Sequence, residues 1–288
     1  MAIGSLLEKI SRRYNWFHYY LKSSEARKRT SLYDMFWHVT GPICEKIAPK
    51  YSSNVSEDSE YIYYKINDFD KIFNYPKQVP YHHFAQVITE GMQERHWHHY
   101  EVPQTLVNKG DVIVDCGSAE GFFAFKYQDI ASKIYAIEPL PIFIKSLHKL
   151  FDKNDAVEIL PVALSNEKGT LFLEKSNIAS TCKSSIDGNE DNYIKIESVT
   201  IDSIFAEKGI KIDYLKADLE GFEENMILGA LETIKQSKPK IAITTYHRGQ
   251  DCDKLMNILK SIVPEYKFYA KGIEYTEGRP VMLHAWCD

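Results

Sequence analysis

"VIVDCGSAEG", residues 112–121, carries the clearest signal of the fold in this chain. An apolar run typical of a β-strand carries an acidic residue, Asp115, near its end, and Gly117 and Gly121 follow within a short turn. In α/β proteins a glycine-containing turn between a strand and a helix lets the backbone approach a ligand closely. The stretch therefore predicts a ligand site at the carboxyl end of this strand.

Strands and helices alternate from about residue 100 to the end of the chain. Apolar runs such as VIVDCG, KIYAIEP and KPKIAITTYH are followed by segments with helical spacing. This alternation predicts a parallel sheet with helices on both faces. The last two strand-like segments flank a short turn, so at least one strand there runs antiparallel. We predict a Rossmann-like, doubly wound, mostly parallel α/β sheet over residues 101–288, with a C-terminal antiparallel hairpin.

Residues 1–100 follow a different pattern. The first 50 residues combine helical spacing with many aromatic side chains, and the polar, Ser-rich segment 50–60 predicts a linker. YIYYKI (61–66) predicts a strand, and 81–100 predicts an amphipathic helix. So many aromatic residues do not suit a solvated tail. We therefore expect a mainly helical cap that contributes to an acceptor pocket or to a homodimer contact.

Composition excludes several classes of protein. The chain has 288 residues, 44% hydrophobic and 26% charged, with a formal net charge of −5. These values are ordinary for a soluble globular protein and disfavour nucleic-acid binding. Its five cysteines form no C-x-x-C pair, and no apolar run is long enough to span a bilayer. We expect a cytoplasmic protein with reduced thiols and no transmembrane segment.

Positive charge is concentrated at the N-terminus. Residues 1–30 contain seven Lys or Arg and two Glu, a local charge of +5. The basic aromatic stretch 12–29 is compatible with peripheral contact to an anionic membrane surface. A helix that packs on the core and leaves a basic face in solvent explains the same pattern, and we favour this interpretation.

The opening turn excludes two familiar ligands. Aligning a dinucleotide fingerprint on Gly117 places Ala119 and Phe122 where the other two glycines belong, and no Gly-Lys-Ser/Thr closes a P-loop. Glu138 ends the next strand about 20 residues after Gly117, where a carboxylate binds the hydroxyls of a ribose. The remaining D-x-G-x-x-x-G pattern suits S-adenosylmethionine, which has no phosphate, with Asp115 facing its ammonium group.

The candidate cofactor-binding residues lie in this turn and at the ends of the next two strands. They are Asp115, Gly117, Ser118, Gly121, Phe122, Glu138, Pro139 and Ala163. A strand-to-helix turn without a ligand explains Asp115 and the glycines equally well when they are taken alone. Their combination with Glu138 and with the α/β alternation favours the cofactor.

Three segments resemble the FkbM-type methyltransferases, a family of class I S-adenosylmethionine-dependent enzymes. They are VIVDCGSAEGFF (112–123), IYAIEP (134–139) and the stretch 213–247, in which D-x-E-G-F-E is followed by a helix and a K-P-x-I-x-I strand. The family more often has Gly-Ala-Asn-x-Gly where this chain has GSAEG, a change that keeps both glycines. The resemblance covers about 105–288 and implies O-methylation of a hydroxyl, commonly on a sugar or a polyketide-type natural product.

Asp218 and His247 are the catalytic candidates, because each follows a predicted strand next to the cofactor strands. A hydroxyl is a poor nucleophile at neutral pH, so a nearby base or metal ion assists it. We favour His247 as the base and Asp218 as the group that orients it; helix capping by Asp218 and a local hydrogen bond of His247 are the simpler alternatives. Glu220 and Glu223 suit the N-terminus of the next helix. A divalent cation on Asp218 and His247 lacks a clear third ligand and is not favoured, so no metal site is predicted.

The cluster His96, His98 and His99 invites a metal interpretation. On a predicted helix, residues two apart point in different directions, which disfavours a shared ion and leaves a packing or substrate-facing role.

Three other functions remain open for the whole chain: a dinucleotide-dependent oxidoreductase, a non-catalytic binding module of the same fold, and an RNA methyltransferase. The sequence does not identify the acceptor.

Overall fold

The structure is a computed structural model that describes residues 3–174, 182–184, 190–247 and 249–288. Its central feature is a seven-stranded sheet of order β12-β13-β11-β10-β4-β5-β6. The strands are β4 (Val112–Cys116), β5 (Lys133–Ile137), β6 (Val157–Leu160), β10 (Tyr214–Ala217), β11 (Lys240–Thr244), β12 (Lys267–Lys271) and β13 (Met282–Trp286). β13 runs antiparallel to both of its neighbours, β11 and β12, and the other neighbouring pairs of this sheet are parallel. The predicted doubly wound sheet and its closing hairpin are confirmed.

Helices cover both faces of this sheet, because alternate residues of each buried strand point to opposite sides. Ile113 joins a core with α6 and α7, whereas Val114 joins a second core with α9 and α11. The helices of this part are α6 (Phe122–Tyr127), α7 (Pro141–Phe151), α8 (Ile201–Ile204), α9 (Glu223–Leu228), α10 (Leu231–Ser237) and α11 (Cys252–Ile262). Strand order reverses between β4 and β10, so a crevice opens at the carboxyl ends of these two strands.

A smaller sheet of order β7-β9-β8 stands beside the crevice. It consists of β7 (Ala163–Leu164), β8 (Gly169–Glu174) and β9 (Tyr193–Val199). Most of the segment between β8 and β9 lies outside the described residues.

The N-terminal region contains helices and a three-stranded antiparallel sheet of order β1-β2-β3. Its elements are α1 (Ile3–Lys22), α2 (Ser24–Arg29), α3 (Leu32–Thr40), α4 (Cys44–Ile47), β1 (Ser52–Glu57), β2 (Tyr61–Ile66), β3 (Ile72–Pro76) and α5 (Tyr81–Met92). The strand predicted over 61–66 is confirmed. The linker predicted over 50–60 is wrong, because β1 is an edge strand. Its polar side chains are mostly exposed, and the strand is held by backbone pairing with β2.

The helix predicted over residues 81–100 ends early. α5 stops at Met92, and Gln93 has extended backbone angles of φ −101° and ψ 99°. His96, His98 and His99 therefore lie in a turn, and the helical spacing used above for their side-chain directions does not apply.

The N-terminal sheet shares a hydrophobic core with the seven-stranded sheet. Phe73 of β3 is fully buried and meets the rings of Phe122 and Phe125 edge-on, at centroid distances of 5.5 and 5.2 Å. The N-terminal sheet and the seven-stranded sheet are therefore held together by apolar packing.

Replacing Phe73 by Ala is expected to lower the free energy of unfolding by about 3–5 kcal/mol, because the substitution leaves a cavity between the two parts. Denaturant unfolding measures it. Ile72→Ala is the matched control: Ile72 is the preceding residue and is 42% exposed, so its loss is expected to cost about 0.5 kcal/mol or less. Equal losses for both variants would contradict the shared core.

Helix α1 packs with one face and exposes the other. Tyr20 joins a small core with Trp97 and Ile273, whereas Tyr14 and Phe17 are 65% and 42% exposed. The favoured interpretation of the basic aromatic stretch as a packed helix agrees with this arrangement, and membrane contact through its exposed face stays a prediction. Among the described residues no helix is both long and apolar enough to cross a membrane. All five cysteines are free thiols.

Candidate active site

The turn after β4 has the conformation that its glycines predict. Gly117 has φ 74°, and a Cβ atom there would lie 1.9 Å from the carbonyl oxygen of Asp218. Gly121 has φ 86° and precedes α6, where a Cβ would lie 2.5 Å from the side chain of Leu147. Both positions therefore require glycine. The turn passes directly beside β10, at the point where the strand order reverses.

Glu138 is buried at the end of β5 and faces the same turn. Its carboxylate accepts hydrogen bonds from the backbone N–H groups of Ala119 (2.8 Å) and Leu140 (2.9 Å). Burial raises the pKa of Glu138 to about 7, although these two bonds act in the opposite direction. Glu138 lines a pocket of about 140 Å³ together with Pro139 and Ala163. The structure thus brings these three predicted cofactor residues together.

A second pocket of about 110 Å³ lies on the other side of the turn. Ser118 and Phe122 line it, as do Lys216 and Asp218. Asp218 also lines the pocket beside Glu138. The two pockets therefore form one crevice around the turn, and Asp218 stands where they meet.

Asp115 lines neither pocket, and its predicted role toward the ammonium group of the cofactor, direct or through water, stays a prediction. Its carboxylate is fully buried, and the Nζ atom of Lys216 lies 3.0 Å away. A carboxylate inside the sheet has to be paired with a cation, and the neighbouring strand supplies one. Lys216 also donates a 2.6 Å hydrogen bond to the carbonyl oxygen of Gly117 and reaches the crevice. Asp115 is therefore linked to the crevice through Lys216.

The sequence patterns above did not identify Lys216 as a site residue, although its position in the chain is unusual. It is a single charged residue inside the buried strand YLKA, where an unpaired charge is costly. Burial lowers its pKa, but the charges of Asp115 and Asp218 outweigh burial and raise the pKa overall. Its ammonium group is therefore charged at neutral pH.

Asp218 and His247 lie close together, as the sequence predicted. The Nε2 atom of His247 lies 3.6 Å from Oδ1 of Asp218 and 3.4 Å from Oε2 of Glu220. Nδ1–H of His247 donates to Glu223 Oε1 at 3.0 Å, which leaves Nε2 facing Asp218. Nε2 is buried and has no hydrogen-bond partner among the described residues.

Glu223 holds this arrangement together. It begins α9, as expected, and its carboxylate accepts the backbone N–H groups of Leu219 and Gly221. It also accepts bonds from Thr244, Gln250 and His247. Five hydrogen bonds fill a carboxylate, which has about four lone-pair sites.

One group of possible metal ligands occurs within the described ranges. It consists of Asp218, Glu223 and His247, whose ligand atoms lie within 4.8 Å of one another. Because hydrogen bonds already saturate Glu223, the group suits proton transfer better than ion binding. The cluster of His96, His98 and His99 forms no such group in the parts of the chain that the structure describes.

A second histidine, His98, approaches Asp218 from the opposite side. Its Nε2 atom lies 3.5 Å from Oδ2 of Asp218, and its Nδ1 atom lies 3.1 Å from the buried carboxylate of Glu90. The hydroxyl of Tyr100 donates a 2.7 Å bond to the same oxygen of Asp218. Asp218 thus stands between two imidazoles, each backed by a glutamate. The sequence pattern did not predict that His98 contacts Asp218, because the two residues are far apart along the chain.

The two imidazoles and the aspartate alter one another's protonation. Burial opposes the ionisation of Asp218, but the charges of His98, His247 and Lys216 lower its pKa to about 2. Burial also opposes a charge on His247, yet Glu223, Asp218 and Glu220 raise its pKa to about 9. The pKa of His98 is raised by Glu90 and Asp218 against the effect of burial. The resting site therefore contains an ionised Asp218 beside the imidazolium of His247, and the pKa of His98 is shifted in the same direction as that of His247.

One comparison with known proteins identifies the kind of domain. A family model described as "Methyltransferase FkbM domain" matches residues 115–268, more than half of the chain. A search among curated proteins finds no match.

Three solved structures illustrate what the chain is similar to. A methyltransferase FkbM from Methylobacillus flagellatus KT is 19% identical with a TM-score of 0.49, over 71% of this chain and 54% of that one. An rRNA methylase from Streptococcus thermophilus is 14% identical with a TM-score of 0.38, over 63% and 89%. A TehB-like SAM-dependent methyltransferase from Corynebacterium glutamicum is 11% identical with a TM-score of 0.36, over 63% and 82%. The chain spans about half of the Methylobacillus structure.

Proposed function

Because the chain belongs to the FkbM family of S-adenosylmethionine-dependent methyltransferases, we propose that it methylates a hydroxyl of a sugar, a glycan precursor or a similar natural product. One observation supports this proposal above all. The ionised carboxylate of Asp218 lies between His98 and His247, and it lines both pockets of the crevice around Gly117. Such a group can accept a hydrogen bond from an acceptor hydroxyl beside the methyl donor.

The crevice fits S-adenosylmethionine chemically. Glu138 is a buried carboxylate suited to ribose hydroxyls, and Pro139 and Ala163 belong to an apolar pocket wall suited to adenine. On the other side, the ammonium group of Lys216 suits the carboxylate of the methionine part. When bound, the cofactor supplies a methyl group on a sulfonium. A dinucleotide fits less well, because Phe122 fills the first turn of α6.

Glu138→Ala is expected to weaken the binding of S-adenosylhomocysteine by about 1.5–3 kcal/mol, the contribution of a hydrogen bond to a charged group. Titration calorimetry measures the affinity of each variant for S-adenosylhomocysteine. Glu158→Ala is the control, because Glu158 is a largely exposed carboxylate on the neighbouring strand β6. Unchanged affinity in Glu138→Ala, or tight binding of NAD to the wild type, would overturn the cofactor assignment.

Asp218 and His247 have distinct roles in this proposal. Asp218 accepts the hydrogen bond of the acceptor hydroxyl and orients its oxygen toward the methyl group. The bound cofactor would supply the methyl group, and Nε2 of neutral His247 would accept the proton that the acceptor hydroxyl loses. Glu223 keeps the imidazole in the tautomer that can accept this proton.

An acceptor screen tests the function. The wild type is incubated with S-adenosylmethionine and a panel of methyl glycosides and oligosaccharides, and mass spectrometry detects the gain of one methyl group. We expect at least one panel member to be methylated. Binding of S-adenosylhomocysteine without transfer to any of them would contradict the sugar acceptor and would favour a non-catalytic binding module.

A further inference from the structure

A cavity of about 600 Å³ separates the N-terminal helices from the C-terminal loop. Trp16 and Trp37 from α1 and α3 line it, as does Tyr275 from the loop between β12 and β13. Its volume is that of a typical small-molecule site. Most of its lining lies outside residues 115–268, the range that the family model matches.

The inner end of this cavity reaches the catalytic candidates. Glu90, His98 and Tyr246 line it there. His98 Nε2 lies 3.2 Å from the hydroxyl of Tyr246 and 3.5 Å from Asp218. Asp218 belongs to the cofactor crevice on the far side. Glu90 lines both the cavity and this crevice, so His98 and Tyr246 lie where the cavity meets Asp218.

The contacts of His98 hold its ring in one orientation. Its side chain is 7% exposed, and that of Glu90 is 10% exposed. Glu90 is held in turn by Gln86, which donates a 2.8 Å hydrogen bond to its other oxygen. A buried ion pair contributes little net stability compared with apolar packing. Its position against Asp218 is better explained by a role in the site.

We propose that this cavity is the acceptor-binding site and that His98, held by Glu90, is the residue through which the N-terminal region positions Asp218 against the acceptor. The inference rests on the proposed methyl transfer and adds where the acceptor lies and what holds it. His98 is a positioning residue, because it acts through Asp218.

The lining of the cavity suits a ring with apolar faces and polar edges. The indole rings of Trp16 and Trp37 offer flat surfaces, on which the C–H face of a sugar ring packs. Polar groups of both signs surround them, among them Arg13, Glu45 and Glu274. Hydroxyl groups can bond to either sign, whereas a strongly charged acceptor would meet repulsion from one of them.

Two substitutions in the full chain separate binding from positioning, with the methyl glycoside or oligosaccharide that the wild type methylates as the probe. Trp37→Ala is expected to raise the KM for this acceptor about tenfold and to leave kcat near the wild-type value, since a ring contact is lost. His98→Asn is expected to lower kcat about 100-fold with little change in KM, since Asp218 is no longer held. Both variants are expected to bind S-adenosylhomocysteine like the wild type.

Matched controls remove a tryptophan and a histidine at positions outside the cavity. Trp286→Ala removes a tryptophan at the end of β13, and His284→Asn removes an equally buried imidazole that bonds to Thr105. Neither residue lines the cavity, so near wild-type kinetics are expected. If His98→Asn does not fold, Glu90→Gln replaces it, with the same expected loss of kcat.

The outcomes distinguish this inference from the function on which it rests. A wild type that methylates no panel member overturns both. A wild type that is active, together with an unchanged KM in Trp37→Ala, shows that the acceptor binds elsewhere. An unchanged kcat in His98→Asn removes the positioning role. Loss of S-adenosylhomocysteine binding in either variant would place the residue in the cofactor site instead.

Discussion

Asp218→Asn is expected to lower kcat about 10²–10⁴-fold while the affinity for S-adenosylhomocysteine stays close to that of the wild type. Asparagine has the same shape but no charge, so it accepts the acceptor's hydrogen bond weakly and cannot stabilise positive charge on the oxygen. It also removes the anion between His98 and His247. Steady-state kinetics and calorimetry on the same preparation measure the two quantities.

The same strand offers a matched control for Asp218. Asp213 precedes β10 at its amino end and accepts a 2.8 Å hydrogen bond from the backbone of Val112, which asparagine can also accept. Asp213→Asn is therefore expected to keep near wild-type kinetics. Equal losses in both variants would mean that the effect of Asp218→Asn comes from the fold.

A chelator test on the wild type separates proton transfer from metal catalysis. Because hydrogen bonds saturate Glu223, turnover is expected to survive EDTA. Loss of activity that magnesium or manganese restores would instead assign the group of Asp218, Glu223 and His247 to an ion.

His247→Ala is expected to lower kcat about 10²–10⁴-fold and to abolish the rise of the rate with pH. A general base has to be neutral. The pKa of His247 is raised to about 9, so its neutral fraction, and with it the wild-type rate, should increase as pH rises from 7 toward 9. An ordinary histidine would give an inflection near pH 6.5.

The pH dependence reflects every charged group that faces this ring. Glu223, Asp218 and Glu220 raise the pKa of His247, and the charge of His98 opposes them across Asp218. His148→Ala removes an exposed histidine on α7 and should leave the profile unchanged. A wild-type inflection near pH 6.5, or an undiminished rate in His247→Ala, would remove the histidine from the mechanism.

Local patterns in the sequence were sufficient for much of the fold. Alternating strands and helices, Gly117 and Gly121 in the turn, and Glu138 at the next strand end each reflect a geometry confined to a few neighbouring residues. The errors have the same origin. The exposed edge strand β1 lacks an apolar alternation and was predicted as a linker. α5 ends at Met92, one residue after Gly91, whereas the apolar spacing predicted a helix that continues to residue 100.

Patterns within single segments were enough to predict the sheet, the turn at its centre and the placement of Asp218 and His247 at neighbouring strand ends, because strand order and chain direction bring such ends to one edge. Folding of the whole chain was needed to bring His98 against Asp218 and to place Lys216 between Asp115 and the crevice. It also decided the pKa of His247. These features depend on burial and on charges from distant parts of the chain, which the pattern of any single segment does not specify.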